Sequence, residues 1–332
     1  MPCTIGFTYD LKSDHPKPVE GPEDALAEMD VEETVDLVAR SLESAGHRVE
    51  RIGNVRSLLE RLPGLDVDIV FNICEGLGPR SREAEVPTVL DIFGVPYVGS
   101  DGLTLSLTLD KVMAKKAFVA DGVPTPRSFM ANGKFSLRDL DGMKFPVIVK
   151  PCHEGSSMGI SEDSIVRKKK DLKARIAGVE RLYRQPAIVE EFVRGSEFTV
   201  LVIGNEEPEA LEPVQVQIAG RRDLGDLMYT WRCLASTDIV YLCPAKVSAG
   251  LRRKLRVLAK AAYRAVGCRD FGRVDLRVDE EGRPYVLEVN PLPSLSEEDV
   301  FPAIAKVHGW TYEGLLLKIV DIARKRYPAL AG

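Results

Sequence analysis

The chain has 332 residues, of which 45% are hydrophobic and 29% are charged, and its formal net charge is −5. This length allows two or three domains with cores of their own, and the composition is typical of a soluble globular protein. The charge gives no electrostatic footprint for nucleic acid or an anionic membrane, so we expect neither as a partner. The N-terminus does not resemble a signal peptide and no apolar run reaches membrane length, so we expect a cytoplasmic protein. Six scattered cysteines favour reduced thiols over disulfides or zinc.

The first hundred residues alternate between short apolar strands and amphipathic helices. The predicted strands are Thr4–Thr8, Val49–Ile52, Val67–Cys74 and Val95–Val98, and the predicted helices are Val31–Gly46, Val55–Leu62 and Glu85–Phe93. This alternation predicts a parallel sheet covered by helices. A polar, proline-rich loop from Asp10 to Asp24 interrupts the pattern. No G-x-G-x-x-G follows the first strand, so a dinucleotide-binding site lacks its fingerprint.

Further along the chain, a strand leads into a loop of small residues. The strand is Phe145–Lys150, and the loop His153–Gly159 has a central Gly-Ser-Ser. Such a loop can present backbone N–H groups to phosphate, because little side-chain bulk blocks the approach, and Lys150 could add a point charge. A flexible hairpin with a surface lysine is the alternative, since the Walker order of residues is absent.

The second half of the chain contains mostly regular elements and one long irregular stretch. The predicted helices from residue 103 onward are Leu103–Asp121, Asp171–Tyr183, Leu251–Val266, Phe301–Val307 and Glu313–Arg326, and two further strands are Ala187–Val193 and Arg194–Ile203. The stretch Gly220–Asp238 has the length of a lid or a disordered loop.

Two strands around a turn are predicted over Gly272–Pro293. Apolar and polar residues alternate in both strands, which places the polar side chains on one face of each. These side chains are Arg273, Asp275, Glu288 and Asn290. Carboxylates packed this closely repel unless a cation lies between them, and hard oxygen ligands suit Mg²⁺. The solvated face of an ordinary hairpin is the alternative.

Six motifs occur in a characteristic order. They are Leu109-Asp-Lys111, Val147-Ile-Val-Lys-Pro151, Glu154-Gly-Ser-Ser157, Glu190-Glu-Phe-Val193, Glu197-Phe-Thr-Val200, and Gly272-Arg-Val-Asp275 with Leu287-Glu-Val-Asn290. Together they resemble the ATP-grasp superfamily, and within it the D-alanine–D-alanine ligase family, of which this chain would be a divergent member. The resemblance implies an α/β fold with an N-terminal parallel α/β domain and two α+β domains that clasp ATP. We expect these three domains over residues 1–103, 104–196 and 197–332.

The resemblance also implies roles for individual residues. The implied ATP-binding residues are Lys111, Lys150, Glu154, Ser156, Ser157, Glu190, Val193, Glu197 and Arg232. The implied ligands of two Mg²⁺ ions, which Mn²⁺ could replace, are Asp275, Glu288 and Asn290. The implied catalytic residues are Arg273, Ser156 and Lys150. In the implied reaction, a carboxylate attacks the γ-phosphate of ATP, and an amine then attacks the resulting acyl phosphate.

The chain departs from this family where the substrates would bind. Relatives carry an N-terminal glutamate signature, a histidine after the third strand, and a Gly and a Ser for the acceptor's carboxylate. The corresponding tentative substrate residues here are Glu28, Arg80, Arg82, Ser294 and Asp299. Because an acid at position 299 would repel a carboxylate, we expect an acceptor other than D-alanine. The alternative is that Asp299 points to solvent.

Three functions are compatible with the sequence. The first is a carboxylate–amine ligase with a changed acceptor, acting on amino-acid or peptide-like substrates. The second is D-alanine–D-alanine ligase itself, and the third is a nucleotide-binding regulatory protein without ligase turnover. Retention of Arg273 argues against the third, since ATP binding alone would not need it. A homodimer is implied by the resemblance alone.

Overall fold

The computed structural model describes residues 2–15, 21–78, 80–132, 135–228, 230 and 239–330. The strands are β1 (Thr4–Thr8), β2 (Arg48–Gly53), β3 (Ile69–Asn72), β4 (Tyr97–Val98), β5 (Ser128–Ala131), β6 (Val147–Pro151), β7 (Ile165–Val166), β8 (Ala187–Glu191), β9 (Ser196–Ile203), β10 (Glu209–Ala210), β11 (Val214–Ile218), β12 (Ile239–Leu242), β13 (Phe271–Val278) and β14 (Pro284–Asn290). The helices are α1 (Glu32–Glu43), α2 (Val55–Arg61), α3 (Glu85–Phe93), α4 (Gly102–Leu109), α5 (Lys111–Ala120), α6 (Lys169–Tyr183), α7 (Ala249–Ala265), α8 (Val300–Val307) and α9 (Tyr312–Arg324). Within these ranges no helix combines the length and the apolar character needed to cross a membrane.

The N-terminal sheet is parallel, as the alternation of strands and helices predicts. Its strand order is β2-β1-β3-β4, and every pairing in it is parallel. All four residues of β3 are buried, because helices cover both faces of such a sheet. The C-terminal helices belong to the same core, since Phe301 of α8 and Leu316 of α9 cluster with Ile5 and Phe71 of the sheet.

Two antiparallel sheets follow along the chain. One has the order β5-β8-β6-β7, and the other has the order β12-β11-β9-β13-β14, with β10 paired to β9. Each has its own buried cluster, which includes Val149 and Val189 in the first sheet and Val200 and Val274 in the second. The predicted fold class, a parallel sheet with two antiparallel sheets, is confirmed.

The helix predicted over Leu103–Asp121 is two helices, α4 and α5, and the prediction of one continuous helix is wrong. Asp110 lies between them in an extended conformation, with φ −81° and ψ 95°. Its Oδ1 accepts from the backbone N–H groups of Val112 and Met113 at 3.1 Å each, so the side chain caps a new helix. The break makes Lys111 the first residue of α5. The backbone N–H of Lys111 donates to the carbonyl of Cys152 at 3.0 Å, just beyond β6.

The other predicted elements lie within two residues of their observed bounds, except that α1 ends at Glu43, three residues before the predicted end at Gly46. Val31 is the residue before α1 and is 45% exposed, so it does not belong to the buried stripe of that helix. The predicted lid Gly220–Asp238 falls partly outside the described residues, and its predicted ATP-contacting residue, Arg232, lies outside them.

We predict that Asp110→Ala lowers the free energy of unfolding by about 1–2 kcal/mol, the usual effect of losing an N-terminal cap. Because the same carboxylate positions Lys111, the substitution should also weaken nucleotide binding. Urea unfolding and calorimetric titration of an ATP analogue measure the two effects. Asp101→Ala is the matched control, since Asp101 caps α4 through Thr104. An equal loss of nucleotide affinity in both variants would contradict the prediction.

Candidate nucleotide and substrate site

The polar faces of β13 and β14 meet as the alternation predicts. Arg273 is opposite Asn290 and Asp275 is opposite Glu288, with a register shift directly after Asp275. The Arg273 guanidinium donates to both oxygens of Asp275, at 3.2 and 3.1 Å. The amide of Asn290 donates to Oδ2 of Asp275 at 2.8 Å. Two carboxylates, one amide and one guanidinium therefore share one patch of the sheet.

Lys111 connects this patch to the small-residue loop. Its Nζ lies 3.0 Å from Oε2 of Glu288 and donates to the carbonyl of Glu154 at 2.6 Å. Burial alone would raise the pKa of Glu288, but Lys111 and Lys150 lower that pKa to about 2. Glu288 is therefore a carboxylate at neutral pH, as a metal ligand has to be.

A second buried group of charges surrounds Glu190, which is 2% exposed. The Nζ atom of Lys150 is 3.7 Å from Oε1 of Glu190, and Nζ of Lys115 is 2.7 Å from Oε2. Lys115 also donates to the hydroxyl of Thr125 at 2.8 Å. Burial lowers the pKa of Lys115. The sequence analysis missed Lys115, although its place four residues after Lys111 puts the two lysines on one face of α5.

Glu197 lies beside a buried arginine that was not singled out from the sequence. Arg277 is 3% exposed, and its Nε is 3.9 Å from Oε2 of Glu197. Its guanidinium lies over the ring of Phe192, 4.7 Å from the centroid, and donates to the carbonyl of Gly195 at 3.1 Å. Burial raises the pKa of Glu197.

The small-residue loop is a tight turn with an exposed tip. Ser156 and Ser157 both have positive φ, at 43° and 57°. Such a conformation can turn successive N–H groups toward a common anion. The side chain of Glu154 faces away from the tip, since Gln185 donates to its Oε1 at 2.6 Å.

Arg82 is fully engaged with the chain's own acceptors. Its NH2 lies 2.6 Å from Glu28 and 3.0 Å from Glu154, and its NH1 donates to the carbonyl of His153 at 2.8 Å. The side chains of Arg82 and Glu28 are each 5% exposed. The expectation that Arg82 receives an anionic substrate therefore does not fit its contacts. Arg80 remains 67% exposed and lies 3.3 Å from Asp110.

An acidic cluster beside Arg82 was not expected from the sequence. Carboxylate oxygens of Glu28, Glu75 and Glu83 all lie within 4.8 Å of one another. Glu83 is 7% exposed and receives no hydrogen bond or ion pair from any residue that the structure describes. Burial and the charge of Glu28 raise the pKa of Glu83 to about 8. Burial also raises the pKa of Glu75 well above its usual value.

Asp299 faces the reactive patch rather than solvent, so the solvent-facing alternative is wrong. Its side chain is 8% exposed, with Oδ2 3.4 Å from NH1 of Arg273. Oδ1 accepts from the backbone N–H of Val300 at 2.6 Å, which caps α8. Burial raises the pKa of Asp299, although Arg273 opposes that shift. Ser294 is exposed, and its hydroxyl accepts from the backbone N–H of Ser296 at 3.4 Å.

Comparison with known proteins identifies relatives that match most of the chain. The family model described as D-ala D-ala ligase C-terminus matches residues 125–321. The uncharacterised protein y4sG of Sinorhizobium fredii is 37% identical over 301 residues, which are 88% of each chain. A D-alanine–D-alanine ligase of Carboxydothermus hydrogenoformans is 33% identical over 296 residues, which are 86% of this chain and 91% of that one.

Solved structures show the same fold. The D-alanine–D-alanine ligase from Bacillus anthracis complexed with ATP has a TM-score of 0.76 at 22% identity, covering 99% of this chain and 100% of that one. The VanG D-Ala:D-Ser ligase from Enterococcus faecalis has a TM-score of 0.74 at 19% identity, covering 97% and 100%. The family model and the sequence relatives go further than the fold: the chain belongs to the D-alanine–D-alanine ligase family of ADP-forming ATP-grasp ligases.

Proposed function

We propose that this ligase activates a carboxylate with ATP and joins it to an amine other than D-alanine. The observation that carries the changed acceptor is the buried carboxylate of Asp299 beside Arg273, at 3.4 Å. An acceptor carboxylate brought to this point would meet a negative charge in a poorly hydrated site, which disfavours it. An acceptor with a cationic or neutral group there would not be repelled.

The triphosphate would lie between the two antiparallel sheets. Lys111 and Lys150 would contact its phosphates, and the tip at Ser156 and Ser157 would cover them. Glu190 and the Val193 backbone would face the adenine, and Glu197 the ribose. The carboxylates near Lys111 and Lys150 support this proposal, because each holds a cation where an anionic ligand could exchange with it. Arg232, in the predicted lid, would contribute a further cation.

The hairpin has the chemistry of a magnesium site. Asp275, Glu288 and Asn290 offer hard oxygen atoms from adjacent strand positions, and Glu288 is ionised at neutral pH. These residues would hold two Mg²⁺ ions, which Mn²⁺ could replace. When bound, the ions would neutralise charge that develops on the transferring phosphoryl group.

The reaction would proceed in two displacements. A carboxylate oxygen of the donor attacks the γ-phosphorus, the bond to the β–γ bridging oxygen breaks, and ADP leaves. The amine then attacks the acyl carbon, the bond to the phosphate oxygen breaks, and the nitrogen loses a proton. In the structure, Arg273 donates to Asp275 and faces Asp299. In the reaction, its guanidinium would stabilise the oxyanion that forms at the acyl carbon.

The acidic cluster is the proposed location of the donor's amino group. Its three carboxyl groups could accept the three N–H bonds of a primary ammonium, and Glu83 has no competing partner among the described residues. Lys111, which is expected to contact phosphate, donates to the backbone carbonyl of Glu154. The side chain of Glu154 pairs with Arg82 beside the cluster, so these contacts link the cluster to Lys111. A donor bound here would direct its carboxylate toward the nucleotide.

Several further expectations belong to the same proposal. We expect domain limits at residues 103 and 196, so that the predicted lid and the proposed metal ligands belong to the last domain. A homodimer in the cytoplasm, without nucleic-acid partners, fits a small-molecule ligase of this family. Sedimentation of the purified chain tests the dimer directly.

We predict that Glu83→Gln removes a pH dependence of stability. A carboxyl whose folded pKa lies near 8 retains its proton while the unfolded chain, with a value near 4.5, loses it. Stability should therefore fall as the pH rises through this interval, and Gln should abolish that loss. Urea unfolding between pH 5 and pH 9 should show the variant gaining on the wild type as the pH rises. The exposed Glu60→Gln is the control, and parallel profiles for wild type and Glu83→Gln would contradict the prediction.

We predict that the wild type releases ADP with a donor and an amine other than D-alanine, and that Asp299→Ser shifts the preference toward D-alanine. Serine retains the helix cap while it removes the charge, so kcat/KM with D-alanine as acceptor should rise about tenfold or more. A panel of amino acids, singly and in pairs, with products identified by mass, measures this preference.

Asp101→Ser, which removes a cap carboxylate that pairs with Arg269 rather than with Arg273, is the control and should leave the acceptor preference unchanged. Efficient D-alanyl-D-alanine synthesis by the wild type, with D-alanine clearly preferred, would contradict the changed acceptor and leave D-alanine–D-alanine ligase as the function.

A further inference from the structure

The N-terminal segment that contains Asp24 and Glu28 contacts the small-residue loop. The part of that loop from Glu154 to Gly159 is here called the flap. Asp24 is 5% exposed, and its Oδ2 accepts from the backbone N–H of Gly159 at 2.8 Å. The hydroxyl of Tyr183, at the end of α6, donates to both oxygens of Asp24, at 2.8 and 2.9 Å. One buried carboxylate thus joins three segments that are distant in sequence.

The opposite end of the flap is also attached to the N-terminal segment. The backbone N–H of Gly155 donates to Oε1 of Glu28, and Arg82 donates to the carbonyl of His153. Between the two attachments, the hydroxyls of Ser156 and Ser157 have no partner among the residues that the structure describes. The flap is therefore fixed at its ends and open at its tip.

The attachment at Gly159 is sterically constrained. Gly159 has φ +74°, and a Cβ built there would lie 2.5 Å from the ring of Pro151. The flap thus packs directly against the end of β6, one residue beyond Lys150. A shift of Gly159 would change the position of the serine tip relative to that lysine, which lies among the groups expected to contact phosphate.

We propose that Asp24 is a positioning residue for the nucleotide, which it serves by holding the flap through Gly159 and Tyr183. The inference rests on the proposed function, because it assumes that the flap covers a triphosphate. Asp24 touches no reacting atom in this arrangement. It supplies the acceptor that holds the flap, and the proline-rich N-terminal loop, where the family resemblance is weakest, supplies Asp24.

The test is the affinity for a triphosphate compared with that for a nucleoside. Calorimetric titration of Asp24→Ala, Asp24→Asn and Tyr183→Phe with magnesium and a non-hydrolysable ATP analogue should show binding about tenfold weaker for Asp24→Ala and Tyr183→Phe. Asp24→Asn, which retains one acceptor oxygen, should lie between them and the wild type. Affinity for adenosine should not change, since adenosine has no phosphate for the flap to cover.

Two further measurements separate positioning from simple stability. Combining Asp24→Ala with Tyr183→Phe should weaken triphosphate binding no more than Asp24→Ala alone, because Tyr183 acts on the flap only through the Asp24 carboxylate. Asp171→Asn, an exposed position on α6, is the control and should bind both ligands as the wild type does.

Equal losses for triphosphate and adenosine, or no loss for either, would overturn the inference while leaving the ligase proposal in place. Failure of the wild type to bind the triphosphate analogue would overturn both proposals. Additive losses in the double variant would show that Tyr183 and Asp24 act separately, which also contradicts the inference.

Discussion

The organisation of the site depends on pairing carboxylates with lysines in a poorly hydrated space between sheets. Glu288 and Glu190 are each held by lysine, at 3.0 Å from Lys111 and 2.7 Å from Lys115. Without these partners the carboxylates would carry uncompensated charge in a low dielectric, or would retain their protons. The pKa of Glu288, lowered to about 2, shows that pairing outweighs burial there. An arrangement of carboxylates paired with lysine side chains is suited to exchanging partners with a metal–triphosphate.

The helix break at Asp110 makes this pairing geometrically feasible. A continuous helix over residues 103–121 would have no capped start at Lys111. A new helix begins there because the Asp110 carboxylate accepts hydrogen bonds from the first free N–H groups. Lys111 and Lys115, four residues apart on this helix, project from one face. The same aspartate lies near Arg80 and His153, each at 3.3 Å, so the cap also contacts the segment that leads into the flap.

The grouping of polar side chains on the hairpin could be predicted from the sequence, and the surroundings of Arg82 could not. Strand alternation puts Arg273 with Asp275 and Glu288 with Asn290, because the period of a strand is local, and the pairing of β13 with β14 joins the two faces. Glu75 and Glu83, by contrast, lie in a segment without regular alternation, and they meet Glu28 only through tertiary packing. The engagement of Arg82 by Glu28 and Glu154 has the same origin. Short edge strands such as β7 and β10, two residues each, also carry too little pattern to be predicted.

We propose above all that the hairpin carboxylates hold a divalent cation that binds the triphosphate. The most direct test is calorimetric titration of the wild type and Glu288→Gln with a non-hydrolysable ATP analogue, with excess Mg²⁺ or with EDTA. We expect the wild type to bind the analogue at least about tenfold more tightly with Mg²⁺, and Glu288→Gln to lose most of that difference. Equal affinity of the wild type in Mg²⁺ and EDTA would contradict the claim, because the carboxylates would then have no cation to share with the phosphates.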